Sequence, residues 1–175
     1  IMSQTGEMTF WDHLEDLRTS IFRILTVFAV AVVALFFFKG FLFDCIILAP
    51  SKSDFFMYRL LSADFSMTLV NIEVAAQFLI HMKITFIMAL IVTFPYIVFE
   101  TWRFILPALY ERERKVIRGA FAFASVLFYI GVVVGYSVVF PLMLNFFSGY
   151  QVSPDIPNTF SLTSYISLFT SLVLT

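Results

Sequence analysis

Two acidic clusters set among basic residues have the side chains best suited to chemistry in this sequence. They are Asp12, Glu15 and Asp16 in the first cluster, and Glu111 and Glu113 in the second. Arginine pairs with a carboxylate through two parallel hydrogen bonds, a geometry that lysine cannot copy. Two such clusters at one surface would suit a ligand with two guanidinium groups. For the first cluster, a solvated helix face and a cation-binding patch are the alternatives.

No catalytic motif accompanies these clusters. The sequence contains no H-E-x-x-H pair, P-loop or glycine-rich dinucleotide turn. His13 and His81 fall on opposite sides of the membrane in the predicted topology, so they cannot share a metal. His81 is interpreted as an interfacial histidine rather than a ligand or proton carrier. A single cysteine, Cys45, excludes an intrachain disulfide and a multi-cysteine metal site. We expect no enzymatic activity, no cofactor and no metal.

The composition is that of an integral membrane protein. Hydrophobic residues make up 61% of the chain, charged residues 13%, and the mean hydropathy is +0.94. No basic face suited to nucleic acid is visible, and no cleavable signal peptide. The chain stops at Thr175 within an apolar run, so we expect a longer protein. The predicted fold class is all-α: a polytopic helical membrane protein with four visible spans, the fourth truncated.

Hydrophobic runs and basic residues together predict the topology. The predicted elements are an interfacial helix at 9–18 with Thr9 as N-cap, spans at 21–39, 78–100 and 119–140, and the start of a fourth span at 163–175. The connections are an external segment at 40–77, a cytoplasmic loop at 101–118 and an external loop at 141–162. Basic residues in short loops stay in the cytoplasm. The second connection carries five of them, namely Arg103, Arg112, Arg114, Lys115 and Arg118, whereas the third has none from Leu142 onward. The N-terminus is therefore predicted to be cytoplasmic.

Several residues within the spans predict local features. Pro95 should kink the second span, because it removes a backbone hydrogen bond. Glu100 lies at the negative end of that helix, where a carboxylate is unfavourable, so either Arg103 pairs with it or the site needs an acid. Gly131 and Gly135 form a G-x-x-x-G pair that lets a second helix approach closely. Packing within this chain is favoured over a dimer interface for that pair.

Ordered motifs along the chain resemble those of the TatC family, a subunit of the twin-arginine protein translocase. The opening H-L-x-E-L-R motif corresponds to His13–Arg18, and the second-loop motif ending in P-A-L-Y-x-x-E-R-R corresponds to Pro95–Lys115. The F-P-L that ends the third span is found at Phe140–Leu142, and the external Ala-Pro at Ala49-Pro50. Three departures are notable: Asp16 replaces a glutamate, Phe99-Glu100 replaces Tyr-Gln, and Lys115 replaces the last arginine.

The resemblance implies a six-span protein of the cytoplasmic (inner) membrane that binds twin-arginine signal peptides and exports folded proteins with the proton motive force. Its partners would be TatA- and TatB-type single-span subunits and further TatC copies. Asp16 and Glu113 would hold the signal arginines, Arg18 would orient that site, and Phe104 would contact the signal peptide. Asp16 is one methylene shorter than the family's glutamate, so Glu15 is the alternative acid for the first site, and Arg114 lies in the second motif. The structural positions are Pro50, Pro95, Pro107, Gly131, Gly135 and Pro141.

Two other classes of function are the alternatives. A multi-span solute or ion transporter would need ionisable residues deep in the spans or paired broken helices, and the mid-span positions here are nearly all apolar. An intramembrane enzyme would need a nucleophile, an acid pair or a metal set at membrane depth, and the sequence contains none of these.

Overall fold

The computed structural model describes residues 10–61, 67–151, 153–155 and 158–174, and the predicted N-cap Thr9 lies outside them. Three long helices dominate: α1 (Phe10–Phe37), α3 (Ala76–Ile105) and α4 (Glu111–Val134). The shorter elements are α2 (Phe56–Leu60), α5 (Phe140–Gly149), α6 (Leu162–Leu174), and two-residue strands β1 (Leu69–Val70) and β2 (Phe160–Ser161). The predicted polytopic helical fold is confirmed.

The three long helices pack side by side in alternating directions. Along α1 and α3, His13 stacks on Phe104 and Phe36 stacks on His81, so residue numbers rise on one helix as they fall on the other. Along α3 and α4, the rings of Phe94 and Phe128 stack with centroids 3.8 Å apart. The start of α1, the end of α3 and the start of α4 therefore meet at one end of the molecule, called the polar end below. The end of α1, α2, α5 and the start of α6 lie at the opposite end.

Three helical stretches are long and apolar enough to cross a membrane: Phe10–Phe37, Ala76–Ala108 and Glu111–Gly149, and Leu162–Leu174 is a shorter apolar helix. The third stretch has 39 residues, which corresponds to about 58 Å of helix, roughly twice the hydrocarbon thickness of a bilayer. It therefore extends well beyond the lipid tails. A π-helical segment, Gly135–Val139, interrupts it between α4 and α5.

A donor from the neighbouring helix replaces the backbone hydrogen bond that Pro95 removes from α3. Pro95 has no N–H to donate to the carbonyl of Ile91, four residues earlier. In the structure, the hydroxyl of Tyr129 on α4 donates to that same Ile91 carbonyl oxygen at 2.8 Å. The hydrogen bond that Pro95 removes is thus replaced by one between α3 and α4.

At the opposite end, three tyrosine hydroxyls secure the segment that follows α1. This segment is a π-helix, Phe41–Ile47, and a short turn, Ala49–Ser51. Tyr136 donates to the carbonyl oxygen of Ile46, Tyr165 to that of Ile47, and Tyr58 to that of Pro50, at 2.6, 2.7 and 2.8 Å. Burial raises the pKa of the Tyr58 hydroxyl, which keeps it a donor. Tyr58 and Tyr165 belong to the buried core and Tyr136 packs against it, with Phe140 and Phe169 edge-on to each other in the same core.

Of the two glycines in the G-x-x-x-G pair, Gly135 lies at a close helix crossing and Gly131 does not. A Cβ on Gly135 would lie 2.8 Å from the carbonyl oxygen of Leu172, closer than real Cβ atoms come, so the absence of a side chain lets α6 cross here. A Cβ on Gly131 would meet no atom of the described residues within 4 Å. The packing predicted within this chain therefore rests on Gly135.

Three boundaries differ from those expected from the sequence. Residues 10–18 continue into the first span as one helix, α1, because no glycine or proline separates the two. The expected external loop at 141–162 begins with α5, which continues the helical stretch of α4 through the π-helical segment and has Pro141 in its first turn. The expected loop at 101–118 is mostly the end of α3 and the start of α4. The sequence also did not predict the parallel pairing of β1 with β2.

Candidate functional site

The polar end combines side chains from α1, α3 and α4. His13 of α1 stacks on Phe104 of α3 with ring centroids 4.3 Å apart and planes inclined by 19°. Both side chains are half-buried. This contact places the first acidic cluster, whose members lie on both sides of His13 in the sequence, beside the end of α3.

A small cavity opens between these two helices. It has a volume of about 180 Å³ and is lined by Asp16, Thr19, Ser20, Arg23, Arg103 and Phe104. A water molecule takes up about 30 Å³ in the liquid, so the cavity has room for a group several times larger. Its wall combines one carboxylate, two guanidinium groups, two hydroxyls and one aromatic ring.

The two adjacent acids of the first cluster have different surroundings. Glu15 forms an ion pair with Arg18 at 3.6 Å on the outside of α1, where both side chains are about two-thirds exposed. Exposed pairs of this kind contribute little to stability. Arg18 also lies 5.7 Å from the ring centroid of Phe22. Asp16, which is also exposed, lines the cavity, so the two adjacent acids have different neighbours.

The second acidic cluster lies in the first turn of α4. Glu111 and Glu113 are both exposed there, and the positive end of the helix dipole favours carboxylates at this position. The turn before it is held by the Arg114 guanidinium, whose Nε donates to the carbonyl oxygen of Leu109 at 3.3 Å. Pro107 lies in a short turn, Leu106–Ala108, that links α3 to α4. Glu113 and Asp16 thus lie at the same end of the molecule, on different helices.

A buried carboxylate lies close to the cavity. Glu100 has a side chain that is 2% exposed, and it is paired with Arg103 and with Arg23 of α1, each at 3.8 Å. Tyr96 donates a hydrogen bond to its Oε1 at 3.1 Å. Of the alternatives raised for Glu100, pairing with Arg103 is present. Sequence reasoning missed Arg23, which is 77 positions away near the start of the first predicted span.

The remaining predicted residues lie elsewhere. Pro50 and Pro141 are buried at the opposite end, and Pro95 lies within α3. His81 stacks on Phe36 at the opposite end, and its Nε2 is buried without a hydrogen-bond partner among the described residues. Within the described part of the chain, no three His, Cys, Asp or Glu side chains lie close enough to hold a metal ion.

The chain is similar to known proteins over nearly its whole length. Residues 12–175 match the TatC family, described as Sec-independent protein translocase protein. TatC of a Blattabacterium from Periplaneta americana is 33% identical over 181 residues, covering 95% of this chain and 68% of that protein. TatC of Halothiobacillus neapolitanus is 32% identical, covering 98% of this chain and 44% of that protein. TatC of Escherichia coli K12 is 40% identical over 99 residues, covering 54% of this chain and 38% of that protein.

The fold is also similar to a solved structure. A crystal structure of the twin-arginine translocase receptor TatC in DDM superposes with a TM-score of 0.72 at 26% identity, covering 93% of this chain and 68% of that one. This chain thus spans between about two fifths and two thirds of the length of these proteins. The similarity to a protein translocase component confirms the expectation of a transport protein rather than an enzyme. The chain is a helical, multi-span membrane protein that belongs to the TatC family.

Proposed function

We propose that the polar end of this chain receives the paired arginines of twin-arginine signal peptides, as the first step of Tat export. The observation that carries the proposal is the cavity in which Asp16 of α1 and Phe104 of α3 come together. A carboxylate supplies the acceptor that a guanidinium needs, and an aromatic ring supplies a face for stacking or for an apolar side chain.

Each residue of the site then has a role. Asp16 accepts one signal arginine inside the cavity, and Glu113, exposed at the start of α4, accepts the other. Phe104, held by its stacking on His13, contacts the residues that follow the arginines. Arg18 pairs with Glu15 and so keeps this neighbouring acid from competing for the ligand. Arg114 fixes the turn before α4 through Leu109.

The proposal includes an orientation and a set of partners. The polar end faces the cytoplasm, because basic residues gather there and are retained on that side of the inner membrane. The N-terminus is then cytoplasmic as well. The partners are TatA- and TatB-type single-span subunits and further TatC copies, and the energy for moving folded cargo comes from the proton motive force.

Site-specific crosslinking tests the binding role. A signal peptide with two adjacent arginines and a photoreactive group should crosslink to membranes carrying the wild-type chain. It should crosslink about tenfold or more weakly to Asp16→Asn and Glu113→Gln, because each loses one charge-assisted contact. Asp54→Asn, an exposed acid at the opposite end, is the matched control and should behave as wild type.

Changing the peptide tests the geometry of recognition. A Lys-Lys version keeps both charges but loses the planar two-bond fork, so it should bind less well than the Arg-Arg version. Equal crosslinking of both peptides, or wild-type crosslinking to Glu113→Gln, would contradict the roles assigned here.

A further inference from the structure

Glu100 is a buried acid close to the Asp16 cavity that the proposed binding role does not use. Its side chain is 2% exposed, and its two carboxylate oxygens are divided between two arginines: Oε2 lies 3.8 Å from Arg23 and Oε1 lies 3.8 Å from Arg103. Tyr96 donates to Oε1, whereas Oε2 accepts no hydrogen bond from the described residues. The carboxylate therefore acts on both arginines through charge, at distances beyond a hydrogen bond.

The two arginines held by Glu100 also line the cavity that contains Asp16. Their side chains are 43% and 56% exposed. They are therefore partly solvated cations next to the proposed binding carboxylate. Each carries the same guanidinium group as the proposed ligand and is attached permanently at the site. Without another anion nearby, either arginine would be a competitor for Asp16.

We propose that Glu100 is a positioning residue that keeps Asp16 available, by holding Arg23 and Arg103 away from it. The inference rests on the proposed role of Asp16. Both arginines lie within 4.0 Å of Glu100, and no ion pair within that distance joins either of them to Asp16. The negative charges of Glu100 and Asp16 balance the positive charges of the two arginines. Without its charge, the cavity has a net positive charge and repels an incoming cation.

Neutralising Glu100 without changing its shape tests this role. Glu100→Gln keeps the length of the side chain and an acceptor for Tyr96, but removes the charge that attracts the arginines. Binding of a synthetic Arg-Arg signal peptide to the purified full chain, measured by fluorescence anisotropy, should weaken by about tenfold. The double variant Glu100→Gln/Arg103→Gln removes one competitor and should recover binding to within about twofold of wild type.

Recovery in the double variant separates positioning from a structural role. If Glu100 only joined α1 to α3, removing a further arginine would not restore binding. Absence of recovery, or wild-type binding by Glu100→Gln, would overturn the proposal. Asp16→Asn, measured in parallel, tests the proposed function itself: if it binds as wild type, the receptor role of Asp16 fails, whatever Glu100 does.

If Glu100→Gln does not fold, as judged by its thermal unfolding transition, a further variant tests the proposal. Arg103→Gln alone leaves Glu100 charged and removes one cation from the cavity wall. Peptide binding should then become roughly threefold tighter, since the local charge is more negative. Unchanged or weaker binding by Arg103→Gln would overturn the proposal.

Discussion

Replacing Tyr129 with phenylalanine should destabilise the chain by an amount that depends on Pro95. The hydroxyl of Tyr129 donates to the Ile91 carbonyl oxygen at 2.8 Å. Pro95 has no N–H and cannot donate to this carbonyl. Phenylalanine keeps the ring, with its edge-on packing against Phe128, and removes the hydroxyl. Ile91 is buried at 7% exposure, so water cannot readily replace the lost donor.

The expected cost follows from the surroundings of that carbonyl. Hydrogen bonds between membrane helices contribute about 0.6 kcal/mol on average and up to about 1.7. An orphaned buried acceptor costs about 1–3 kcal/mol. Because Ile91 lacks the usual donor within its own helix, the cost of Tyr129→Phe should fall where the two ranges overlap, at about 1–1.7 kcal/mol.

The proline background makes this prediction specific. In Pro95→Ala, the alanine N–H can donate to the Ile91 carbonyl, so the hydroxyl of Tyr129 becomes redundant. Tyr129→Phe should then cost less than about 0.5 kcal/mol, which gives a coupling energy of about 1 kcal/mol between positions 95 and 129.

Reversible denaturant titration of the purified protein in detergent micelles, followed by circular dichroism, measures the four free energies of the cycle. Tyr150→Phe is the matched control, because Tyr150 is exposed and its ring stacks on Phe146 with or without a hydroxyl. Additive effects of the two substitutions would refute the idea that Tyr129 replaces the hydrogen bond lost at Pro95.

Two further predictions concern helix packing and orientation. Gly135→Ala should lower the free energy of unfolding by about 1–3 kcal/mol, because the added Cβ would lie 2.8 Å from the Leu172 carbonyl oxygen. Gly131→Ala, with no described atom within 4 Å of its Cβ, should change it by less than about 0.5 kcal/mol, and equal effects in the same titration would contradict the close crossing. Cys45 is exposed at the opposite end, so a membrane-impermeant maleimide should label it from outside intact cells if the polar end is cytoplasmic. Labelling that requires permeabilised cells would reverse the proposed orientation, and Cys45→Ser is the control.

Local patterns in the sequence predicted several features of the fold. The long apolar runs predicted the spans, because a bilayer demands such runs whatever the neighbours are. The pairing of Glu100 with Arg103 was also raised, since the two residues are three positions apart on one helix.

Features that join distant parts of the chain were not predicted. Arg23 of α1 forms an ion pair with Glu100 of α3. Nothing in the residues around Arg23 distinguishes it from a cation that flanks a span. Pro95 predicted a kink, but its compensating donor is 34 positions later, among other aromatic residues. Likewise, Glu15 and Asp16 are adjacent acids in the sequence, and the packing of α1 against α3 decides which of them faces the cavity.

The three tyrosine hydroxyls at the opposite end have a consequence for local opening motions. Tyr58, Tyr136 and Tyr165 come from separate parts of the chain, and each donates to a carbonyl within the five residues from Ile46 to Pro50. This short connection cannot leave the core without breaking all three hydrogen bonds, including the one from Tyr165 of α6. Its backbone amides should therefore exchange with deuterium as one cooperative unit together with those of α6, although a connection between helices ordinarily exchanges early.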